Sequence, residues 1–371
     1  MRVLVTGGAG FIGSHTVDLL VESGHKVVIL DNLEPQVHGN KKPDYVNQKA
    51  EFILGDVTNK DTWEKVLKNI DAVIHLAAMV GVGQSMYQPV RYLDVNTIGT
   101  AKFYETLLNK PELKKGIKKI IVASSMSIYG EGAYECKNCG IVYPGLRSKK
   151  QLEKKDWEIH CSKCGEYVKS IPTNEDKPTL NLSTYALSKY DQEKISLNYG
   201  FALNIPTAAL RYFNVFGPRQ SLNNPYTGVC AIFSSRIKNK NSPIIYEDGQ
   251  QSRDFIYVED VARANVLCLE KFNHIDSFNV CSGEPSNILK IAETLIELHD
   301  TNVKPKTTEQ FRIGDVRHVF GDASKINKKL HFVAKMSLRK GFEKLIEWDE
   351  NQKAIDKFEE AEKERIKYLG G

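Results

Sequence analysis

The first apolar run, Val3-Leu4-Val5, is closed by Thr6 and a cluster of glycines. Similar runs recur at residues 27–30, 51–54, 72–76, 119–123 and 207–211. None alternates with polar residues, so each reads as a strand buried on both faces. Between them, residues 12–23, 90–109 and about 183–201 carry helical spacing. Strands alternating with helices predict a parallel sheet covered on both sides. The predicted fold is α/β, a Rossmann-type doubly wound parallel sheet.

Residues 131–178 break this rhythm with four cysteines, several glycines and prolines, and a charge run. They read as an insert. Residues 1–130 and 179–215 then form the dinucleotide-binding domain. Residues 216–345, with turn signals and short strands, read mainly as a smaller C-terminal substrate lobe. Residues 346–371 read as a charged helical tail.

Composition narrows the setting without changing this outline. Of 371 residues, 41% are hydrophobic and 26% charged, ordinary values for a globular protein. The net charge of +5 is modest and much of it lies in the insert, among Arg147, Lys149, Lys150, Lys154 and Lys155. That reads as a solvated surface, with neither the basic density nor the interleaved aromatics of a nucleic-acid stripe. No apolar stretch reaches the length of about 18 residues that a membrane span needs. Met1-Arg2 leads straight into the first strand with no signal-peptide pattern. A cytoplasmic location is therefore expected, where clustered cysteines favour metal over disulfides.

The glycine turn carries the first chemical signal. Gly7-x-x-Gly10-x-x-Gly13 sits after a strand and opens a helix. In that context the glycines allow a tight turn and a close approach to a pyrophosphate, and the helix N-terminus supplies N–H groups and partial positive charge. Gly13 permits close helix–strand packing. Asp31 ends the second strand, 18 residues after Gly13. A carboxylate there accepts hydrogen bonds from ribose hydroxyls and repels a 2′-phosphate, which favours NAD over NADP. Asp56, after the third strand, is placed to meet the adenine edge.

Tyr185 and Lys189 share one helix face at i, i+4 spacing. A free tyrosine has a pKa near 10, so an adjacent ammonium is needed to favour the phenolate. Ser125, at the end of the fifth strand, can hydrogen-bond the same substrate oxygen. This set predicts Ser125, Tyr185 and Lys189 as catalytic residues.

With these motifs the chain resembles the extended short-chain dehydrogenase/reductases of the nucleotide-sugar epimerase/dehydratase group, over about residues 1–345 apart from the insert. The likeness rests on Thr6 to Gly13, His75-Leu76-Ala77-Ala78, the Ser125 segment, Tyr185 with Lys189, Arg211 to Arg219, and Arg253 to Val258. It implies cofactor contacts at Gly7, Gly10, Phe11, Ile12, Gly13, Asp31, Asn32, Asp56, Val57, Leu76, Ala77, Ala78, Asn96, Tyr185 and Lys189. It implies substrate contacts at Ser85, Ser127, Asn214, Arg253 and Arg317, with Asn214 and Arg253 on a diphosphate. It also implies a homodimer formed through the helices near 90–109 and 183–201.

Within that group, 4,6-dehydratases carry Asp-Glu directly after the catalytic Ser/Thr, and decarboxylases carry Glu at the second position. Here those positions are Met126 and Ser127. The pattern implies an NAD-dependent 4-epimerase acting on a nucleotide sugar. Galactose epimerases often have Lys where this chain has Val80. The runs Asp31–Gly39, Ser124–Gly132 and Asn224-Pro225-Tyr226-Thr227-Gly228-Val229 look most like a zinc-knot subgroup of dTDP-L-rhamnose 4-epimerases. UDP-glucose or UDP-glucuronate 4-epimerase activity, or a dehydratase or reductase, stands as the alternative. A non-catalytic cofactor-binding scaffold is a further reading, and the intact Ser-Tyr-Lys set argues against it.

The insert carries Cys136-x-x-Cys139 and Cys161-x-x-Cys164, each pair followed by glycine and separated by 21 residues. Two such knuckles form a zinc-ribbon pattern. Four thiolates close a tetrahedral shell, so the predicted Zn²⁺ is structural.

Overall fold

The computed structural model describes residues 1–39, 41–226 and 228–369. Thr227, in one of the runs above, lies outside the described residues. Seven parallel strands form the central sheet: β1 (Arg2–Thr6), β2 (Lys26–Asp31), β3 (Glu51–Leu54), β4 (Ala72–His75), β5 (Lys119–Ser125), β9 (Thr207–Tyr212) and β13 (Ile275–Val280). Their order is β13-β9-β5-β4-β1-β2-β3. The order reverses at β1, which pairs with both β2 and β4. A crevice at that switch point is where ligands bind in open α/β sheets.

Alternation along each strand supplies two cores. Val3, Val5, Ile29, Ile74 and Leu210 face Val17, Leu20, Val261 and Leu269, on helices Phe11–Glu22 and Val258–Lys271. Leu4, Val28, Val73 and Ile120 face Trp63, Phe103 and Leu107 on the other side. Both layers exclude water, which explains the unbroken apolar runs. The predicted strands all appear, within a residue or two of their expected ends.

Three features depart from the sequence outline. The seventh strand, β13, and the helix Val258–Lys271 come from the region read mainly as substrate lobe. Asn265 locks that helix into the Rossmann unit, donating to Thr16 Oγ1 (3.0 Å) and accepting from the Tyr212 hydroxyl (2.6 Å). The helix expected over 90–109 is interrupted by a π-helical segment, Leu93–Ile98. The tail expected from residue 346 begins inside one helix, Leu338–Asp349, which packs into the lobe through Phe342 and Leu345, and ends with a second, Phe358–Leu369.

In the lobe, β12 (Ser252–Tyr257) is the centre, paired with β10 (Asn214–Phe216), β14 (Pro285–Asn287) and β16 (His318–Val319). A second small pairing joins β11 (Ile244–Ile245) to β15 (Lys306–Thr307). The insert forms an antiparallel sheet of β6 (Ala133–Cys136), β7 (Gly140–Val142) and β8 (Lys169–Ile171), with Tyr134, Val142 and Ile159 as its own small core. No helix of the described residues is long and apolar enough to cross a membrane.

Candidate active site and cysteine cluster

The glycine turn lies at the switch point. Gly7 has φ +68°, and a Cβ there would meet the Ala77 backbone nitrogen at 2.9 Å. A Cβ on Gly13 would lie 2.0 Å from the Gly7 carbonyl oxygen. Both positions therefore exclude side chains, and the helix that starts at Phe11 begins flush against the turn. Gly10 is extended and no side chain caps this helix. Its first-turn N–H groups around Phe11, Ile12 and Gly13 are placed for an anion.

Asp31 is buried at the end of β2, where its carboxylate accepts from the backbone N–H groups of Ala9 (3.0 Å) and Leu33 (2.9 Å). Those bonds fix both oxygens beside the glycine turn and still leave lone pairs for a ribose. Asp56 accepts from Asn32 Nδ2 and from the Thr58 N–H, both at 2.8 Å, so Asn32 and Asp56 form one polar edge. Val57 turns its side chain into the core with Trp63. Leu76 and Ala77 direct backbone N–H groups at Thr6 Oγ1, at 3.2 and 3.1 Å. Ala78 follows on the same half-buried loop.

Asn96 departs from its expected role. Its amide donates to the Met79 carbonyl (3.0 Å) and Ser188 Oγ (2.9 Å), and accepts from the Met79 N–H (2.8 Å). It is fully buried and both its amide protons are taken, so it fastens the loop after β4 to the helix Thr184–Leu203 instead of offering a free donor to a cofactor.

At the predicted catalytic set, Ser125 Oγ accepts from the Ser127 N–H (3.2 Å) and Ser127 Oγ (2.9 Å). Ser127 thus supports Ser125 from the adjoining turn. Ser183 caps the Tyr185 helix by accepting from the Ala186 N–H (3.1 Å). The Tyr92 ring stands edge-on to the Tyr185 ring, 6.3 Å between centroids. Burial raises the Tyr185 phenol above its ordinary pKa, and a hydrogen bond with Ser125 pulls it back. Burial also lowers Lys189, to about 7, against the pull of Glu193. This differs from the expected lowering of Tyr185 by Lys189. The ammonium is turned to Gln192 Oε1, and enclosure penalises the charged form of both groups.

Ser85, expected on the substrate, is fully buried. Its hydroxyl donates to the Val82 carbonyl (2.7 Å) and accepts from the Tyr185 N–H (3.0 Å), so it sets the backbone of Tyr185. Asn214 Oδ1 is buried with no hydrogen-bond partner, an acceptor available to a ligand. Arg253 donates only to carbonyls, those of Ser252 (2.8 Å), Arg317 (3.0 Å) and Val316 (2.6 Å). Its charge is directed but not neutralised.

Arg317 is the plainest correction. Its side chain is fully buried and spent on Glu158, Glu247 and Asp248. No capacity remains for a nucleotide. Arg312, five residues earlier, is engaged in a similar way. It is half-buried, lies 4.4 Å over the Tyr246 ring and is held by Asp315 at 2.8 Å. Two of the runs shared with the zinc-knot subgroup meet at Gln36, whose Nε2 donates to Gln84 and Asn224, each at 3.1 Å.

Cys136, Cys139, Cys161 and Cys164 come together, with all four sulfurs within 4.8 Å of one another. A tetrahedral zinc–thiolate shell, with bonds of about 2.3 Å, needs sulfurs roughly 3.8 Å apart, so the cluster fits such an ion. The Lys163 N–H on its sulfur helps bring Cys161 down to about 6, towards the thiolate a metal requires.

This geometry has counterparts. A dTDP-L-rhamnose 4-epimerase from Burkholderia thailandensis is 36% identical over 357 residues, 94% of this chain and 94% of its own. The crystal structure of a UDP-glucose 4-epimerase from Thermotoga maritima with UDP-glucose is 31% identical, with a TM-score of 0.76 over 94% of this chain and 99% of that one. A Bacillus cereus UDP-glucuronic acid 4-epimerase in complex with UDP-glucuronic acid and NAD is 28% identical, with a TM-score of 0.76 and coverage of 94% and 99%. The sequence profile of the NAD dependent epimerase/dehydratase family matches residues 3–143 and 158–281, most of the chain. This protein belongs to the NAD dependent epimerase/dehydratase family.

Proposed function

We propose that this chain is a nucleotide-sugar 4-epimerase using NAD, acting on dTDP-L-rhamnose or a related dTDP- or UDP-hexose. One observation carries the reading. Ser125 counters the effect of burial on the Tyr185 phenol, and Ser125 is followed by Met126 and Ser127, not carboxylates. Tyr185 is the proton acceptor for the C4 hydroxyl and returns that proton when the sugar is reduced on its other face. Bringing a phenol from pKa 10 to neutrality takes about 4 kcal/mol of differential stabilisation. Ser125 supplies part of it, and Lys189, one helical turn on, would supply the rest by turning its ammonium from Gln192 to Tyr185. When bound, NAD supplies the hydride acceptor at C4 and the hydride donor on return. Arg253 holds the diphosphate end, so the sugar can turn over while the nucleotide stays fixed.

The cysteine cluster is read as a structural zinc ribbon. Zinc would tie residues 131–178 into the one unit that docks on the lobe. Homodimerisation is supported by the exposed apolar side chains Val90, Ile98 and Leu108 on one dimer helix and Leu187 and Phe201 on the other.

Tyr185→Phe should lower C4 inversion by about 10²- to 10⁴-fold, with bound NAD unchanged. An NMR panel of dTDP-, UDP- and GDP-sugars reads both the substrate and the reaction. Loss of water from the hexose, or a variant above half the wild-type rate, overturns the reading.

Calorimetry should show a marked preference for NAD over NADP, because Asp31 faces the ribose with a negative charge. Equal affinities would remove Asp31 from the cofactor site.

Cys139→Ser should lose zinc and destabilise the ribbon, with raised hydrogen exchange over about residues 131–178 and the lobe segment they hold. Metal analysis of the wild type finding neither zinc nor iron, with four freely titratable thiols, would contradict the ribbon.

Sedimentation should give a mass of twice the 41.9 kDa chain. Phe201→Glu, on the exposed face, should shift it to the monomer. A monomeric wild type would refute the dimer.

A further inference from the structure

The ribbon is fastened to the lobe at the segment that orients Arg253. Glu158 lies between the two cysteine pairs, three residues before Cys161. Its carboxylate accepts from Arg317 Nε (3.0 Å) and Nη2 (2.5 Å), and its other oxygen meets His318 Nε2 at 3.1 Å. Glu131, where the insert begins, accepts from the backbone N–H groups of Arg317 (2.7 Å) and His318 (2.8 Å). The Tyr134 hydroxyl fixes that carboxylate at 2.6 Å. Arg147 donates to both oxygens of Glu247, each at 2.8 Å, and to the Asp315 carbonyl at 3.0 Å. Three side chains of the insert therefore grip residues 315–318.

That same short segment supplies two of the three carbonyls that hold the Arg253 guanidinium, Val316 O and Arg317 O. Carbonyls steer a guanidinium without cancelling its charge. No salt bridge to a carboxylate is found for Arg253 among the described residues, so its direction depends on where those carbonyls sit. Bidentate binding of a phosphate is sensitive to that direction.

We infer that Glu158 and Glu131 are positioning residues for Arg253, and that the cysteine ribbon acts as a splint that sets the affinity for the diphosphate of the nucleotide sugar. The inference rests on the reading that Arg253 meets that diphosphate. Glu158 touches neither Tyr185 nor the glycine turn, so its effect falls on binding and not on hydride or proton transfer. Removing it leaves Arg317 paired with Glu247 and Asp248, so the fold keeps its buried charge balance.

A double-mutant cycle tests this on the intact protein, using UDP and dTDP as probes in calorimetry. Glu158→Ala should weaken binding by about tenfold, or about 1.4 kcal/mol. In an Arg253→Ala background the same change should cost less than twofold. KM for the turned-over sugar should rise with kcat within about twofold, and NAD content should not change. If Glu158→Ala is unstable, Glu158→Gln, which keeps an acceptor for Arg317, should show the same coupling at smaller size. Penalties that add in the double variant, or a fall in kcat at constant KM, overturn the splint and leave the epimerase reading standing. A wild type that binds neither nucleotide overturns both.

Discussion

The close approach of three backbone segments at the switch point governs the rest of this molecule. Gly7, Gly13 and Ala77 meet where the strand order reverses, and there is no room for a Cβ on either glycine. The first helix must therefore start against the end of β1, with its N–H groups aimed into the crevice. Thr6 reinforces the contact, since its hydroxyl receives the N–H groups of Leu76 and Ala77 and meets His75 Nδ1 at 2.7 Å. His75 is fully enclosed and its pKa is pushed down to about 3 by burial, so it is a neutral spacer bridging Thr6 and Thr100. Close packing here fixes the cofactor floor before any catalytic side chain is considered.

A second organising element is charge buried on purpose between units. Arg211 pairs at 2.7 Å with Glu193, on the helix that carries Tyr185, and Arg147, Glu247 and Arg317 join insert and lobe. Such pairs contribute little net stability compared with apolar contacts, because desolvation offsets most of their attraction. What they provide is geometry. Each guanidinium has a fixed fork of donors, and Arg147 and Arg211 each set theirs on both oxygens of one glutamate. Breaking one partner leaves the other stranded, which is why these contacts specify one arrangement of the units over others.

The central sheet was legible because its strands are apolar on both faces and its turns carry glycine. The cysteine cluster was legible because knuckle spacing constrains sulfur positions directly. Other features were not. Arg253 and Arg317 look alike as sequence, and only burial shows that Arg317 is consumed by three carboxylates while Arg253 keeps its charge. Ser85 and Asn96 lie in the right loops, yet they hold the backbones of Tyr185 and Met79. A one-dimensional pattern marks which segments reach the site. It does not say which way a buried hydroxyl or amide is turned. The strand β13 was hidden for another reason. Its membership in the sheet depends on a chain that leaves for the lobe and returns, and local periodicity does not record long-range pairing.

The insert begins and ends at one place. Ala133 on β6 stands opposite Ile171 on β8, and the Ala133 N–H donates to Thr173 Oγ1 at 3.1 Å. A detour whose two feet are pinned together is almost invisible to the chain on either side of it. The closure entropy of such a loop grows only with the logarithm of its length, about 0.6 kcal/mol for each doubling. Ser125 and Tyr185 therefore keep their mutual register whatever is threaded between them. The space between two halves of a predicted catalytic set, which looks like the least tolerant place in the chain, is topologically one of its freest.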